Sequence, residues 1–447
     1  GSRSGGADRR GDGHGVGASV RFGADGLTGI TRLRRVAGDG GSLRVQTLLI
    51  IGDGIGQGAP GGVEALGALG GIATSGMMSH WTGSCGSRLY HKILADSAAL
   101  RDGELHGKIM GEIDPERLKY QFLKMLSDEG VKIYLYTLAS EVIMEGNRVK
   151  GVVIENKEGR TAVFAHTVID CSGDGDIAAK AGVPYFMGRE GDGKMQPATL
   201  MFKVGGVDME RAVLLPSFES TYMTEKGELQ ALARAHLPAP AGHVLLYRST
   251  LPGIVTCNMT NVTGIDGTKN ADLVKAELVC RGQIDTIVNF LREYVPGFES
   301  CYLIATASLM GIRETRHFEG RYALTEEDIL TARVFDDWVV WDAHFNFDIH
   351  NVDGAGLDAN GAQAKFTQAR GYTIPLGCFL PKQVEGLLLC GRNISGTHKA
   401  HSNFRVMPIC VGMGEGIGAV AAYAVKHGVP YDKVDLAQIQ AYLRKGE

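Results

Sequence analysis

The pattern of apolar and polar positions from Leu69 onward is typical of an α/β protein. Asp114 and Pro115 predict the start of an amphipathic helix, because Asp caps helix N-termini and Pro is favoured in the first turn. This helix is expected to end before Gly130, and a second helix, rich in Gly and Ala, is predicted over 412–427. Apolar or alternating runs predict strands over 131–136, 140–144, 149–154, 161–165, 167–171 and 386–390.

The N-terminal residues do not share this pattern. Residues 1–71 hold 22 of the 63 glycines and eight arginines but one aromatic residue, Phe22, and the first lysine of the chain is Lys92. Such a composition buries little apolar surface, and only residues 45–51 resemble a strand. We therefore expect residues 1–63 to be an atypical segment that is disordered or is translated from a different frame of a GC-rich gene.

Composition and charge narrow the function further. With 44% apolar and 21% charged residues, the chain of 447 residues is expected to be a soluble globular protein of two or three units. A net charge of −4 without long runs of like charge gives no reason to expect a nucleic-acid partner. The eight cysteines form no C-x-x-C pair, and we find neither an 18-residue apolar run nor a signal peptide. We expect reduced thiols, no metal site, no membrane span and a cytoplasmic location.

Two strand ends carry the polar groups of a ligand site. The predicted strand 167–171 runs into the loop 172–176, where Gly lets the backbone approach a ligand and Asp can accept hydrogen bonds from ribose or ribityl hydroxyls. The strand 386–390 runs into a similar loop, and the predicted helix that follows begins with four glycines in residues 412–418. The helix dipole would favour negative charge there. The alternative is a capped strand–turn–helix at the first loop and close helix–sheet packing at the second.

In these motifs, residues 64–447 resemble the bacterial FAD-dependent oxidoreductases, which have a glutathione-reductase-like flavin domain and are distantly similar to fumarate reductase flavoproteins. The resemblance covers about 85% of the chain, and four motifs in the expected order carry it: residues 64–76, 172–176, 311–316 and 390–408. It implies an α/β fold in which both ends of the chain, 64–194 and 376–447, form a Rossmann-like FAD-binding domain. Residues 195–375 would form an inserted mixed α+β substrate domain.

The resemblance also implies which residues contact FAD. Glu64 would bind the adenosine ribose, as the acidic residue after the second strand usually does. The glycines would pass beside the pyrophosphate and the flavin, and the segment from Glu415 would face the flavin from a helix N-terminus. The implied cofactor-binding residues are Glu64, Gly70, Gly71, Gly173, Asp174, Gly391, Arg392, Glu415, Gly416 and Gly418.

The start of the chain departs from the family. A Gly-x-Gly-x-x-Gly turn should precede Glu64 by roughly twenty residues, with a helix between. The glycines of residues 52–58 follow a predicted strand, but only five residues separate Gly58 from Glu64. This leaves a flavin-free, non-catalytic relative that serves as a subunit or scaffold as the alternative function. A flavoprotein that modifies a tRNA base is a further alternative, which the lack of a basic run disfavours.

Flavin hydride chemistry needs a group that moves a proton and cations that orient the substrate. His398, His401 and Arg405 lie between two predicted flavin-contacting segments and are the predicted catalytic residues. Arg313 and its neighbours up to His317 form a second polar cluster, for which we favour a structural role. His344 and His350 receive no role.

The predicted function is hydride transfer between a small organic substrate and flavin N5. We find no second Gly-x-Gly-x-x-Gly for a nicotinamide cofactor, so electrons are expected to leave through a quinone, oxygen or a partner protein. The sequence also allows a homo-oligomer.

Overall fold

A computed structural model describes residues 44–52, 61–99, 112–358, 368 and 370–445. The predicted disorder of residues 1–63 falls mostly outside these residues. The strand expected at 45–51 is confirmed, because Arg44–Gly52 forms a strand.

The described residues form seventeen strands and nine α-helices. The strands are β1 Arg44–Gly52, β2 Gly61–Val63, β3 Lys132–Tyr134, β4 Leu138–Glu145, β5 Arg148–Asn156, β6 Gly159–Cys171, β7 Tyr185–Met187, β8 Phe202–Gly205, β9 Met223–Thr224, β10 Gly227–Glu228, β11 Leu246–Arg248, β12 Val255–Cys257, β13 Tyr302–Thr306, β14 Arg316–Phe318, β15 Trp338–Ala343, β16 Tyr372–Pro375 and β17 Leu387–Leu389. The helices are α1 Arg88–Ala99, α2 Pro115–Asp128, α3 Asp176–Lys180, α4 Leu229–His236, α5 Asn270–Tyr294, α6 Glu326–Leu330, α7 His398–Phe404, α8 Met407–His427 and α9 Leu436–Leu443.

The main sheet has a parallel part in the order β3-β2-β1-β6-β17. β5 pairs antiparallel with β6, and β4 with β5, so the strands predicted at 140–144, 149–154 and 161–165 form an antiparallel meander. The strands expected at 161–165 and 167–171 are one continuous strand, β6. Its first half pairs with β5, and Val168, Ile169 and Asp170 pair with β17. The carboxyl ends of β2, β6 and β17 therefore lie at the same edge of the sheet, where ligands bind in open α/β sheets.

Local signals set the ends of α2. Asp114 accepts hydrogen bonds from the backbone N–H groups of Glu116 (3.1 Å) and Arg117 (3.2 Å), and Pro115 occupies the first turn, as predicted. Leu118 and Phe122 on this helix are almost fully buried in the main core. Burying a side chain of this size stabilises the fold by about 1.5–3 kcal/mol.

A second sheet, in the antiparallel order β11-β12-β8-β13, lies within the predicted substrate domain. Its apolar residues, with those of α4 and α5, form a hydrophobic cluster of their own that spans residues 202–301. β15 and β16 pack into the main core instead, although both lie before residue 375. The boundaries predicted at residues 195 and 375 stay a prediction.

α8 is the one helix among the described residues whose length and composition would suffice to cross a membrane. Two thirds of its apolar window is buried inside the protein, where it packs against β15. It begins at Met407 with Pro408 in the first turn, five residues before the predicted start, and ends at Gly428 in the left-handed conformation. A core helix explains this composition, and it carries no conclusion about membranes.

Candidate active site

A cavity of about 740 Å³ opens at the carboxyl ends of β6 and β17. Segments that are far apart in the chain line it: residues 70–73, 171–174, 308–313, 345–350, 390–392 and 405–411, together with residues of the second sheet. All four family motifs therefore contribute residues to the same cavity. The volume is within the range of sites for small organic ligands and cofactors.

Four glycines of the cavity wall have left-handed backbone conformations. Their φ angles are +102° at Gly70, +48° at Gly71, +79° at Gly173 and +92° at Gly391. Other residues are strained in this conformation. A Cβ atom at Gly173 would lie 2.6 Å from Nη2 of Arg392, whereas one at Gly391 would meet open space. The backbone of these loops can thus approach a flat ring or a pyrophosphate closely.

Asp174 joins the three later motifs at the cavity wall. Its Oδ1 accepts hydrogen bonds from Thr315 Oγ1 (2.7 Å) and from Arg392 Nη1 (3.1 Å), and its backbone oxygen accepts one from Arg316 Nη1 (2.9 Å). Asp174 and Arg392, both predicted cofactor residues, are thus held together at the carboxyl edge of the parallel sheet.

Glu64 follows β2 directly and is 4% exposed. Its Oε1 accepts a hydrogen bond from the N–H of Leu66 at 2.7 Å, and its backbone pairs with Tyr134 and Thr137. Glu64 does not line the cavity, in contrast to Gly70 and Gly71 on the same segment. Its position at the end of the second strand agrees with the prediction, and its contact with ribose stays a prediction.

The predicted placement of Glu415, Gly416 and Gly418 is wrong. α8 begins at Met407, so these residues lie more than two turns inside it, and none of them lines the cavity. Glu415 instead accepts hydrogen bonds at the start of α1, from Ser87 Oγ (2.6 Å) and the N–H of Leu89 (3.2 Å). A Cβ at Gly416 would lie 2.1 Å from the backbone oxygen of Val339, so this glycine allows close packing on β15.

The first turn of α8 takes the place predicted for those residues. Met407, Cys410 and Val411 line the cavity, and the N-cap residue Val406 provides no side-chain cap. The first turn has no acidic residue, so the positive end of the helix dipole is not neutralised there. The dipole argument made for residues 412–418 therefore applies to residues 406–411.

His398 and His401 do not line the cavity. His398 Nδ1 lies 2.6 Å from Oε1 of Glu314, and His317 Nε2 lies 2.8 Å from the same oxygen. His401 packs edge-on against His317 with ring centroids 4.8 Å apart. Burial would raise the pKa of Glu314, but the hydrogen bonds from His317 and His398 hold it well below the ordinary range. Burial, and then His317, lower the pKa of His401 far below 6.5.

Glu314, His317 and His401 each bring one ligand atom within 4.8 Å of the others, as the residues of a transition-metal site would. The short hydrogen bonds of Glu314 already satisfy its carboxylate. We therefore interpret this group together with His398, the Glu314 cluster, as a buried hydrogen-bonded network that fixes α7 against β14.

Arg405, the third predicted catalytic residue, does line the cavity. Its Nη2 donates to Oδ2 of Asp348 and to the Asp348 backbone oxygen, both at 2.9 Å. His350 Nε2 lies 3.3 Å from the same Oδ2. Burial would raise the pKa of Asp348, but the attraction of His350 and Arg405 holds it well below the usual range. We call these three residues the Asp348 cluster.

The Asp348 cluster and the cavity wall near it contain side chains that are neutral at pH 7. Burial, and then repulsion from Arg313, lower the pKa of His350 to about 4, so the ring is neutral at pH 7. Burial lowers the pKa of His80 to about 4 and raises that of Tyr247 to about 12. The rings of His80 and Tyr247 are 4.6 Å apart, and both residues line the cavity.

Sequence reasoning missed Asp348, Tyr247 and His80 and gave no role to His350. The signal at Asp348 and His350 is a polar pair two residues apart in the loop after the apolar strand β15, which ends five residues before Asp348. Polar residues at the end of a strand are the pattern that had pointed to Asp174. Arg313, for which a structural role was favoured, also lines the cavity.

Comparison with known proteins identifies the class of protein. The family described as FAD dependent oxidoreductase matches residues 63–443, so the chain belongs to this family, and FAD is its cofactor. No curated protein matches the sequence.

Solved flavoprotein structures are similar over most of the chain at low identity. A geranylgeranyl bacteriochlorophyll reductase-like protein from Thermoplasma acidophilum is 12% identical, with 90% of this chain and 84% of that chain covered and a TM-score of 0.46. A p-nitrophenol 4-monooxygenase from Pseudomonas putida is 7% identical, with 91% of each chain covered and a TM-score of 0.43. The myxobacterial chondrochloren halogenase is 11% identical, with 90% of this chain and 78% of that chain covered and a TM-score of 0.44. With TM-scores below 0.5, these similarities carry no conclusion about substrate or reaction.

Proposed function

We propose that the protein catalyses hydride transfer between a small organic substrate and FAD, with the flavin lying along the glycine-lined wall of the cavity. The observation that carries this proposal is the convergence of Gly70, Gly71, Gly173 and Gly391 on one wall, next to the open start of α8. The same cavity contains the Asp348 cluster, so cofactor and substrate groups would meet there.

The described residues fit FAD. Backbone without a Cβ atom leaves open space for a flat ring at Gly391, and the uncapped N-terminus of α8 favours negative charge. Asp174 can accept a hydrogen bond from a ribityl hydroxyl, since its carboxylate lies at the cavity wall. When bound, FAD supplies a two-electron acceptor or donor at N5.

The chain itself would position the substrate and move a proton. With the Nε2 proton of His350 directed at Asp348, Nδ1 of the neutral ring is an acceptor that can take a proton from a substrate hydroxyl or amine. The reverse reaction returns that proton. Tyr247 keeps its proton at neutral pH and can donate a hydrogen bond to a substrate oxygen. Arg405 fixes the Asp348 carboxylate and adds positive charge beside the reacting groups.

In this proposal His398 and His401 are positioning residues. His398 bonds to Glu314 and His401 packs against His317. Arg405 is the C-cap residue of α7, and its N–H donates to the backbone oxygen of His401 at 3.2 Å. The Glu314 cluster would thereby hold Arg405 at the cavity without touching the substrate.

The test is anaerobic bleaching of the FAD-loaded chain by a panel of alcohols, amines and saturated acids. We expect at least one compound to remove the visible flavin absorbance, and deuterium at its reacting carbon to slow the bleaching. A chain that binds no FAD would favour the flavin-free relative instead. Bleaching without an isotope effect in single turnover would argue against hydride transfer as the slow step.

A further inference from the structure

Arg313 is a cation of the cavity wall that forms no ion pair within 4 Å among the described residues. Its Nη1 donates to the backbone oxygen of Pro197 at 2.6 Å. No carboxylate of the described residues lies within 4 Å of its guanidinium, although the group lines the cavity. Burial, and then repulsion from Arg405, lower its pKa to about 10, so it stays charged at neutral pH.

The carboxylates of the cavity wall are already engaged. Among the described lining residues these are Asp174, Glu277 and Asp348. Asp174 pairs with Arg392 at 3.1 Å, Glu277 with Arg281 at 2.6 Å, and Asp348 with Arg405 at 2.9 Å. Asp348 also attracts Arg313, but it is shared with Arg405, so two guanidinium groups face one carboxylate and the cavity keeps a positive charge in excess.

An unpaired charge that has lost most of its water is unfavourable, and an anion that enters the cavity would gain from neutralising it. A guanidinium binds a carboxylate through two parallel hydrogen bonds. Tyr247 and Arg313 line the same cavity, and the Tyr247 hydroxyl is protonated at neutral pH, so it can donate a third hydrogen bond. One guanidinium and one hydroxyl match a singly charged planar anion better than a phosphate, which calls for more donors.

We infer that the substrate carries a carboxylate, which Arg313 binds with the help of Tyr247. This inference rests on the proposed function, because it names the substrate class of the same cavity. The carboxylate would fix the orientation of the substrate, and its other end would lie between the Asp348 cluster and the flavin.

The experiment is calorimetric titration of the full chain, with and without FAD, using acetate, phenylacetate and succinate. Acetamide, phenylacetamide and succinamide serve as neutral isosteres, and inorganic phosphate as the competing anion. We expect at least one carboxylate to bind at least ~10-fold more tightly than its amide, as for other hydrogen bonds to charged groups. Arg313→Met should remove that difference and leave the binding of the amide unchanged.

Arg292→Met is the matched control, because Arg292 also donates to a backbone oxygen, that of Cys301 at 2.8 Å, but lies outside the cavity lining. If Arg313→Met does not fold, Tyr247→Phe removes a single hydroxyl and should still weaken the carboxylate more than the amide. Three results would overturn the inference. Every acid could bind with the same affinity as its amide, the variants could keep the wild-type preference for the carboxylate, or phosphate could bind more tightly than the carboxylates. Failure of FAD to bind would count against the proposed function alone, since the titration without FAD still measures the binding of carboxylates by Arg313.

Discussion

Two buried clusters of the molecule have almost the same chemistry and differ in where they lie. The Glu314 cluster and the Asp348 cluster each join one ionised carboxylate to histidine, and in both the partners hold the carboxylate pKa below its usual range. The Glu314 side chain is 0% exposed, whereas Asp348 is 19% exposed and lines the cavity. Under the proposed function, the comparison teaches that residue type does not separate the structural network from the reactive one, and that access to the cavity does.

The largest expected difference is in the rate of flavin reduction. His350→Gln removes the proposed proton acceptor and should slow reduction by about 10²–10⁴-fold, the usual contribution of general acid–base catalysis. FAD affinity should change little. The measurement is the single-turnover rate with any compound that bleaches the bound flavin.

His317→Gln is the matched control, because His317 is also a buried histidine that contacts a carboxylate, at 2.8 Å, but does not line the cavity. Its rate per bound flavin should stay within about threefold of the wild-type rate. Equal slowing in both variants would end the distinction between the two clusters.

The second effect is on stability. Glu314→Ala leaves His317 and His398 without their shared acceptor in a fully buried place, and should lower the free energy of unfolding by about 3–5 kcal/mol. Asp348→Ala should cost less, about 1–3 kcal/mol, since water from the cavity can reach Arg405 and His350. Urea unfolding of both variants checks the order, and a greater loss in Asp348→Ala would contradict it.

The third effect is a dependence of stability on pH. His80 and His350 have pKa values of about 4 and His243 of about 3, below the ordinary value of 6.5. Between pH 6.5 and about 4 the unfolded chain binds protons that the folded chain does not, so stability falls as the pH is lowered through this window. The lowered pKa values of Asp348 and Glu314 act in the same direction at the acidic end.

Thermal unfolding between pH 8 and pH 4 measures this slope. His243→Gln keeps a donor for the backbone oxygen of Asn258, 3.1 Å from the ring, and should make the fall shallower. A melting temperature that stays constant from pH 6.5 to pH 4.5 would show that these histidines are already protonated or already solvated.

Features set by neighbouring residues could be predicted from the sequence. Asp114 and Pro115 begin a helix through contacts within one turn, and the strand before Gly173 predicted a loop at the sheet edge. The start of α8 could not be predicted from the glycines of 412–418, because Gly416 allows close packing on the backbone of Val339, a residue far away in the chain.

The direction of the two predicted histidines depends on the fold in the same way. His398 turns toward Glu314, 84 residues earlier, and His401 toward His317. The spacing of histidines along α7 carries no information about a carboxylate that a different strand brings close. Tyr247, the pair Asp348 and His350, and Arg405 do face the cavity, and they come from β11, the loop after β15 and the end of α7.

The most direct test of the account is equilibrium titration of the purified full chain with FAD, followed by the visible spectrum. Gly391→Leu places a side chain in open space at the cavity wall. Gly159→Leu is the control, because it adds a similar backbone strain at a surface turn. The φ angles are +92° at Gly391 and +101° at Gly159, and a Cβ atom at either position would meet no other atom. We predict that the wild type and Gly159→Leu bind FAD with similar affinity and that Gly391→Leu binds it at least tenfold more weakly, at similar stability of the two variants. Unchanged FAD affinity in Gly391→Leu would contradict the placement of the flavin in this cavity.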